Sequence, residues 1–174
     1  MTGKTHLVCG LLCGELIVIG QNITDINTMS FVVLATAVGA IFPDIDQPQS
    51  MMSGSSGVAK SMSRTIASVT QHRGITHTLA FMALIWYLFS FLMPYLGHYG
   101  PTVRACFIVG MISHLMLDTL NEKGIMWFWP FIWKHIHILR IRTGSPAEII
   151  FRFLMDIATT LALAVIILER LHFL

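Results

Sequence analysis

Apolar residues gather along this chain into five stretches, at about 5–20, 29–42, 77–97, 102–120 and 148–168, with the polar positions concentrated between them. Runs of this kind predict helices that lie in a membrane. The third and fifth reach the ~20 residues that a spanning helix needs. The first two are short, only about 21–24 Å at the α-helical rise, so they either extend into their polar flanks or thin the bilayer locally. Short connectors at 21–28 and 98–101 predict helix hairpins, and two long connectors remain, at about 43–76 and 121–147. Gly10 with Gly14, and Ala35 with Gly39, are small residues four apart, the pattern of closely packed membrane helices.

Composition agrees with the pattern. The chain of 174 residues is 55% hydrophobic and only 11% charged, where soluble domains average roughly a quarter charged. Too few charges are present to cover a soluble surface. The expectation is an all-α integral membrane protein of about five transmembrane helices, forming one membrane-embedded domain over residues 1–174. A net charge of +2, widely dispersed, argues against nucleic acid as a partner. Cys9, Cys13 and Cys106 all lie in apolar segments, where a disulfide framework is implausible. The opening Met-Thr-Gly-Lys-Thr-His reads as the start of a retained first span, because no small-x-small cleavage site leading into a soluble domain follows.

Charge then orients the spans. With the N-terminus in the cytoplasm, the inner segments carry Lys4, Lys60, Arg64, Arg73, Lys123, Lys134, Arg140 and Arg142, and the outer side has only Arg104 and Arg170. Both long connectors are therefore expected to be cytoplasmic and the C-terminus external. Ser53 to Gly57 reads as a flexible stretch, 58–70 as a small amphipathic surface segment, and the aromatic run Met126 to Trp133 as a headgroup anchor. Arg152 and Asp156, one turn apart, are expected to pair; Glu15 lies mid-span on the helix face opposite His6 and needs a partner.

Polar residues placed on that topology fall at one end. His6 starts span one, Asp44 and Asp46 follow Pro43 after span two, His72, Arg73 and His77 open span three, and His114 with Asp118 closes span four. His114 and Asp118 are four apart, so they share a helix face and can share a cation. Asp44 and Asp46 flank one residue in an extended or turn-like segment, so one can ligate while the other orients a histidine or accepts a proton. Arg73 is a natural partner for a substrate phosphate. His6, Asp44, Asp46, His72, His77, His114 and Asp118 are the candidate metal ligands, and Asp44, Asp46 and Arg73 the candidate catalytic residues. Imidazole and carboxylate donors suit zinc, with manganese and iron as alternatives. Taken singly, each has a plainer reading: an interfacial histidine, a helix stop, an intramembrane hydrogen-bonded pair. Taken together, they mark a functional site, because polar groups in a membrane are costly. His135 and His137, a His-x-His pair on the second long connector, read as loop histidines that could alternatively add a ligand; His98 and His172 fall at the opposite side, and Cys9 and Cys13 read as packing.

Thr5-His6, Phe42-Pro43-Asp44-Ile45-Asp46, His72-Arg73-Gly74-Ile75-Thr76-His77 and Ser113-His114-Leu115-Met116-Leu117-Asp118-Thr119-Leu120, with Gly124 and Trp129-Pro130-Phe131, resemble the YdjM-like family of bacterial membrane-bound, metal-dependent hydrolases. The resemblance implies a multi-pass protein of the bacterial cytoplasmic (inner) membrane, binding a divalent metal, zinc foremost. More distantly, the His-x-x-x-Asp pattern looks like zinc-dependent phospholipase C and related single-strand nucleases, which implies a phosphoester substrate. A site at the inner headgroup level implies a lipid or lipid-linked substrate, with membrane lipids as the surroundings. Two other classes stand beside the hydrolase: a helix bundle with a structural or regulatory metal, and a small transporter, against which the lack of an internal repeat counts.

Overall fold

Among the described residues, five α-helices form where the apolar runs lie; the computed structural model describes residues 1–47, 49–51, 57, 61, 63–65 and 74–172, the last by its backbone. They are α1 (Gly3–Gly20), α2 (Ile26–Ile41), α3 (Leu79–Leu96), α4 (Gly100–Thr119) and α5 (Pro146–His172). His72, Arg73, the Ser53–Gly57 stretch apart from Gly57, and most of the 58–70 segment lie outside the described residues.

The two short runs do extend into their polar flanks. Asp25 caps α2 by accepting hydrogen bonds from the Thr28 amide and hydroxyl, both at 2.7 Å. Those donors hold its carboxyl below the ordinary aspartate range. At the other end Pro43 has no N–H to return to the Gly39 carbonyl, which the Phe42 amide takes instead, so the chain tightens into a 3-10 turn over Phe42–Asp46. Four helical stretches are thereby long and apolar enough to cross a membrane: Gly3–Gly20, Ile26–Asp46, Leu79–Thr119 and Pro146–Leu171.

Leu79–Thr119 is two helices folded back on each other. Pro94 and Gly97, the latter at φ +55°, end α3, and a 3-10 turn over Gly97–Tyr99 leads into α4. Across the hairpin the Arg104 guanidinium lies 4.0 Å from the Trp86 ring centre, and Phe89 meets Phe107 at 5.0 Å. The cation–π contact gives this half-buried arginine a partner within the fold.

Glycines set the centre of the bundle. A Cβ at Gly10 or Gly14 of α1 would run into Ala40, Thr36 or Val33 of α2. A Cβ at Gly39 would meet the Phe107 carbonyl of α4, and one at Gly110 the Thr36 carbonyl of α2. α1, α2 and α4 are thus held backbone to backbone, as the paired small residues predict. Gly110 adds a contact from the α4 side that the pattern alone does not reveal.

α5 is latched onto α1 at the other flank. Ser145 caps it, with Pro146 in the first turn, and the Ser-x-x-Glu spacing is that of a capping box. The Glu148 carboxylate is buried and accepts from the Thr2 amide, the Thr5 hydroxyl at 2.7 Å and the Gly144 amide at 2.7 Å. Near the far end of the same helix the Arg170 guanidinium donates to the Ile23 carbonyl. Helices α1 and α5 therefore run parallel, and the C-terminal end of α5 lies at the opposite end of the bundle from Met1. The 97–99 turn shares that far end, where Tyr99 packs on Phe31 at 4.5 Å.

The connector after α4 is a folded cover. Ile125 and Ile136 exchange amide hydrogen bonds, Trp127 donates from Nε1 to Thr119 Oγ1 at 2.8 Å, and the Leu79 amide donates to the Trp127 carbonyl. Gly124 sits at φ +62° with the Ile136 carbonyl where a Cβ would stand. Phe128, Phe131, Ile132 and Trp133 remain exposed, beside Lys134, the composition of a membrane-surface anchor.

Candidate metal centre

Where the 3-10 turn after α2, the turn before α3, and the ends of α1 and α4 converge, five of the candidate ligands come together: His6, Asp44, His77, His114 and Asp118, all buried. Asp46 stands directly behind them, also buried.

The hydrogen bonds decide which nitrogen each imidazole offers. His114 Nδ1 lies 2.7 Å from the Ala40 carbonyl oxygen, which can only accept. Nδ1 therefore carries the proton, and Nε2 presents its lone pair to the cluster. His77 is fixed by a relay. The single hydroxyl proton of Thr76 goes to Asp46 Oδ2 at 2.8 Å, so the Thr76 oxygen accepts from His77 Nδ1 at 3.0 Å. In the neutral ring His77 Nε2 then presents its lone pair to the cluster as well. The two Nε2 atoms face each other at 3.1 Å. Between neutral rings two such lone pairs repel, and a cation between them removes the repulsion.

Carboxylate oxygens complete the surroundings. Asp44 Oδ1 lies 3.6 Å from His77 Nε2 and 3.7 Å from His114 Nε2. Asp118 Oδ2 lies 3.6 Å and 3.8 Å from the same two atoms. A tetrahedral ion with ligands at about 2.0–2.2 Å keeps neighbouring donors about 3.3–3.6 Å apart, close to these separations, and Asp44, His77 and His114 form one group that could hold a divalent cation. The donors are nitrogen and oxygen without sulfur, a chemistry suited to zinc, manganese or iron. Thr76, Asp46 and the Ala40 carbonyl supply the outer hydrogen bonds that orient such ligands.

His6 belongs to a second, overlapping group with His114 and Asp118. Its ring stacks on that of His114 with centroids 3.7 Å apart. Nε2 is 3.4 Å from Asp118 Oδ1, and buried Nδ1 has no hydrogen-bond partner among the described residues. The Met1 α-amino nitrogen lies 2.7 Å from the same Asp118 oxygen. Because His114 Nδ1 is committed to Ala40, His114 offers one nitrogen and serves one ion, so the two groups compete for it.

Other sequence candidates lie elsewhere. His135 and His137 are exposed on the connector and join neither group. Cys9 and Cys13 face an apolar recess with Met116, Trp127 and Phe128. Arg152 and Asp156 do not pair: Arg152 lines a cavity at the cluster end, and Asp156 is exposed among Phe153, Ile157 and Leu161. Glu15 is buried beside an apolar cavity of about 530 Å³, and its Oε2 has no hydrogen-bond partner among the described residues. Thr76 and the Ala40 carbonyl are the functional groups that residue type did not single out. Thr76 lies inside the motif that carries His77, and its neighbours could have flagged it.

Thr76→Ala breaks the relay and leaves His77 free to turn or change tautomer. Metal affinity, measured by competition with a chromophoric chelator, is expected to fall about 10–100-fold, with Thr76→Ser close to wild type. Unchanged affinity in Thr76→Ala would remove the relay from the site.

The comparisons agree with the residue pattern. The family model described as YdjM inner membrane protein matches residues 1–172. The uncharacterized protein YvsG of Bacillus subtilis (strain 168) is 30% identical over 148 residues, covering 85% of each chain. The inner membrane protein YdjM of Escherichia coli (strain K12) is 26% identical over 154 residues, 85% of this chain and 76% of that one, and the Shigella flexneri YdjM matches equally. No solved structure matches. With four stretches able to span a bilayer and a buried His/Asp cluster able to hold a metal, the chain belongs to the YdjM inner membrane protein family.

Proposed function

We propose that this protein is a membrane-embedded, metal-dependent hydrolase that acts on a phosphoester or ester of a lipid or lipid-linked substrate. The observation that carries the reading is the pair of opposed Nε2 lone pairs of His77 and His114 flanked by Asp44 and Asp118, beside a cavity that Asp44 itself lines. His77, His114, Asp44 and Asp118 would hold the metal, with His6 next to Asp118. A divalent ion there supplies Lewis acidity to a substrate oxygen and acidifies water toward neutral pH. The chain's own groups do the rest. Asp46 and Thr76 keep His77 in the required tautomer. Asp44 is the cluster carboxylate at the cavity wall, and its Oδ2 is assigned to take the proton of the attacking water. Arg73, which lies outside the described residues, is assigned to the developing anion.

Orientation follows from charge. Lys4, Lys123, Lys134, Arg140 and Arg142 belong to segments at the cluster end, and Arg170 is near the far end, so the reading puts the cluster on the cytoplasmic side of a five-pass protein. A cysteine reporter at residue 172 is expected to react with impermeant reagent in intact cells. Protection there would defeat the five-pass arrangement.

Purified protein in liposomes is expected to hydrolyse some member of a panel of lipid phosphomonoesters, diphosphates and carboxylic esters. Chelation should abolish turnover, and Asp44→Asn should reduce it by about 10²–10³. The burial of all three cluster histidines favours a second reading, a structural metal in a helix bundle. Full metal loading with no turnover across the panel would select that one.

A further inference from the structure

The cavity beside the cluster has a lining that the metal chemistry does not require. Its volume is about 890 Å³, and four cations reach it from separate elements: Lys4 of α1, Lys123 and Arg142 from the two ends of the α4–α5 connector, and Arg152 of α5. Asp44 and Glu122 are the carboxylates on the same wall among the described residues, so their side chains and those of the four cations leave an excess of two positive charges. None of the four cations makes an ion pair among the described residues. The wall also includes Gly3 and Lys4, at the positive end of the 18-residue α1. Arg152 is informative because it lies within an apolar helix, one turn from Asp156, and lines this cavity rather than pairing.

Cations gathered round one recess repel each other, and the arrangement is favourable when an anion fills it. Guanidinium forks and ammonium groups match the several oxygens of a phosphoryl group, and the volume falls within the usual range for small-ligand sites. We propose that this cavity binds the phosphate monoester or diphosphate group of the substrate, with Arg142 and Arg152 as the principal contacts and Lys4 and Lys123 at the rim. The proposal names the substrate class for the hydrolase reading and rests on it, in favour of a doubly charged phosphoryl head over a carboxylic ester. Such a group occurs on lipid headgroups and in free solution alike, and the cavity recognises the shared chemistry.

The test measures binding, without turnover. Full-length protein in phosphatidylcholine nanodiscs is titrated with radiolabelled inorganic diphosphate, and the titration is repeated in nanodiscs that also contain phosphatidic acid. Saturable diphosphate binding is expected in the first. Competition by phosphatidic acid in the second identifies a lipid source, and binding without competition identifies a free phosphate; either supports the cavity. Arg142→Gln with Arg152→Gln should weaken binding at least about tenfold at unchanged metal content. Lys134→Gln with Arg140→Gln removes the same charge outside the cavity and should stay within about twofold. If the arginine pair fails to fold, Lys4→Gln with Lys123→Gln, both exposed positions, should weaken binding in the same direction. Equal weakening by the cavity and control pairs, or no saturable binding of diphosphate and no retention of phosphatidic acid, would overturn the proposal. Binding lost with the arginines in a protein that turns over nothing would remove the hydrolase and leave the cavity. Turnover with binding indifferent to these residues would do the reverse.

Discussion

Replacing His114 by alanine is expected to remove more than about nine-tenths of the bound divalent metal from the purified protein. His114 is the residue that both ligand groups share. Its Nδ1–H is tied to Ala40 at 2.7 Å, so the ring is oriented before any ion arrives, and its Nε2 stands 3.1 Å from that of His77. Alanine removes the donor and its orientation together, and takes away the imidazole nitrogen that lies 3.7 Å from Asp44 and 3.8 Å from Asp118. His77→Ala should have nearly the same effect. His98→Ala, at the far end of the bundle, should have none. Elemental analysis of the purified variants separates these outcomes, and wild-type loading in His114→Ala would take His114 out of the site.

The second large effect is expected from two glycines that touch no ligand. Gly39→Val and Gly110→Val each place a side chain against backbone of the facing helix: Phe107 of α4 in the first case, Thr36 and Ala40 of α2 in the second. Backbone cannot swing aside as a flexible side chain can, so the helices must separate, at a cost at or above the upper end of the about 1–3 kcal/mol typical of overpacking. Separation also carries Ala40 and Asp44 away from His114, so the metal site should fail with the packing. Neither variant is expected to yield monodisperse, metal-loaded protein on size exclusion. Gly20→Ala, whose added methyl meets open space, should behave as wild type. Normal elution and metal content in Gly110→Val would mean that α2 and α4 are not held as described.

Much of this arrangement was legible before folding because membranes enforce simple rules. Apolar run lengths locate the helices, and lysine and arginine counts alone send His6, Asp44, His77, His114 and Asp118 to one end. The spacing of His114 and Asp118 puts both on one face. Long-range partners were not legible. Glu148 reaches Thr2 and Thr5 across more than 140 residues, and no local pattern connects them. The Arg152–Asp156 pair was the natural reading of a four-residue spacing, but a cavity formed by distant segments draws Arg152 elsewhere. His77 reads as the start of a helix, whereas Thr78 caps α3 by accepting from the Phe81 amide at 3.1 Å and leaves His77 in a separate 3-10 turn. That turn lets its ring face two elements at once. The choice of imidazole nitrogen depends on Thr76 and on a main-chain carbonyl of another helix, neither of which residue type can announce.

Whether a divalent ion is held among His77, His114, Asp44 and Asp118 decides the proposed function. X-ray absorption at the metal edge of the purified protein tests it most directly, because it reads the ligands without requiring a substrate. The account predicts a single metal environment of nitrogen and oxygen neighbours near 2.0–2.1 Å (~ values for imidazole and carboxylate ligands), with imidazole scattering that diminishes together with metal content in His77→Ala. Sulfur neighbours, or protein that carries no stoichiometric metal after purification in its presence, would contradict it.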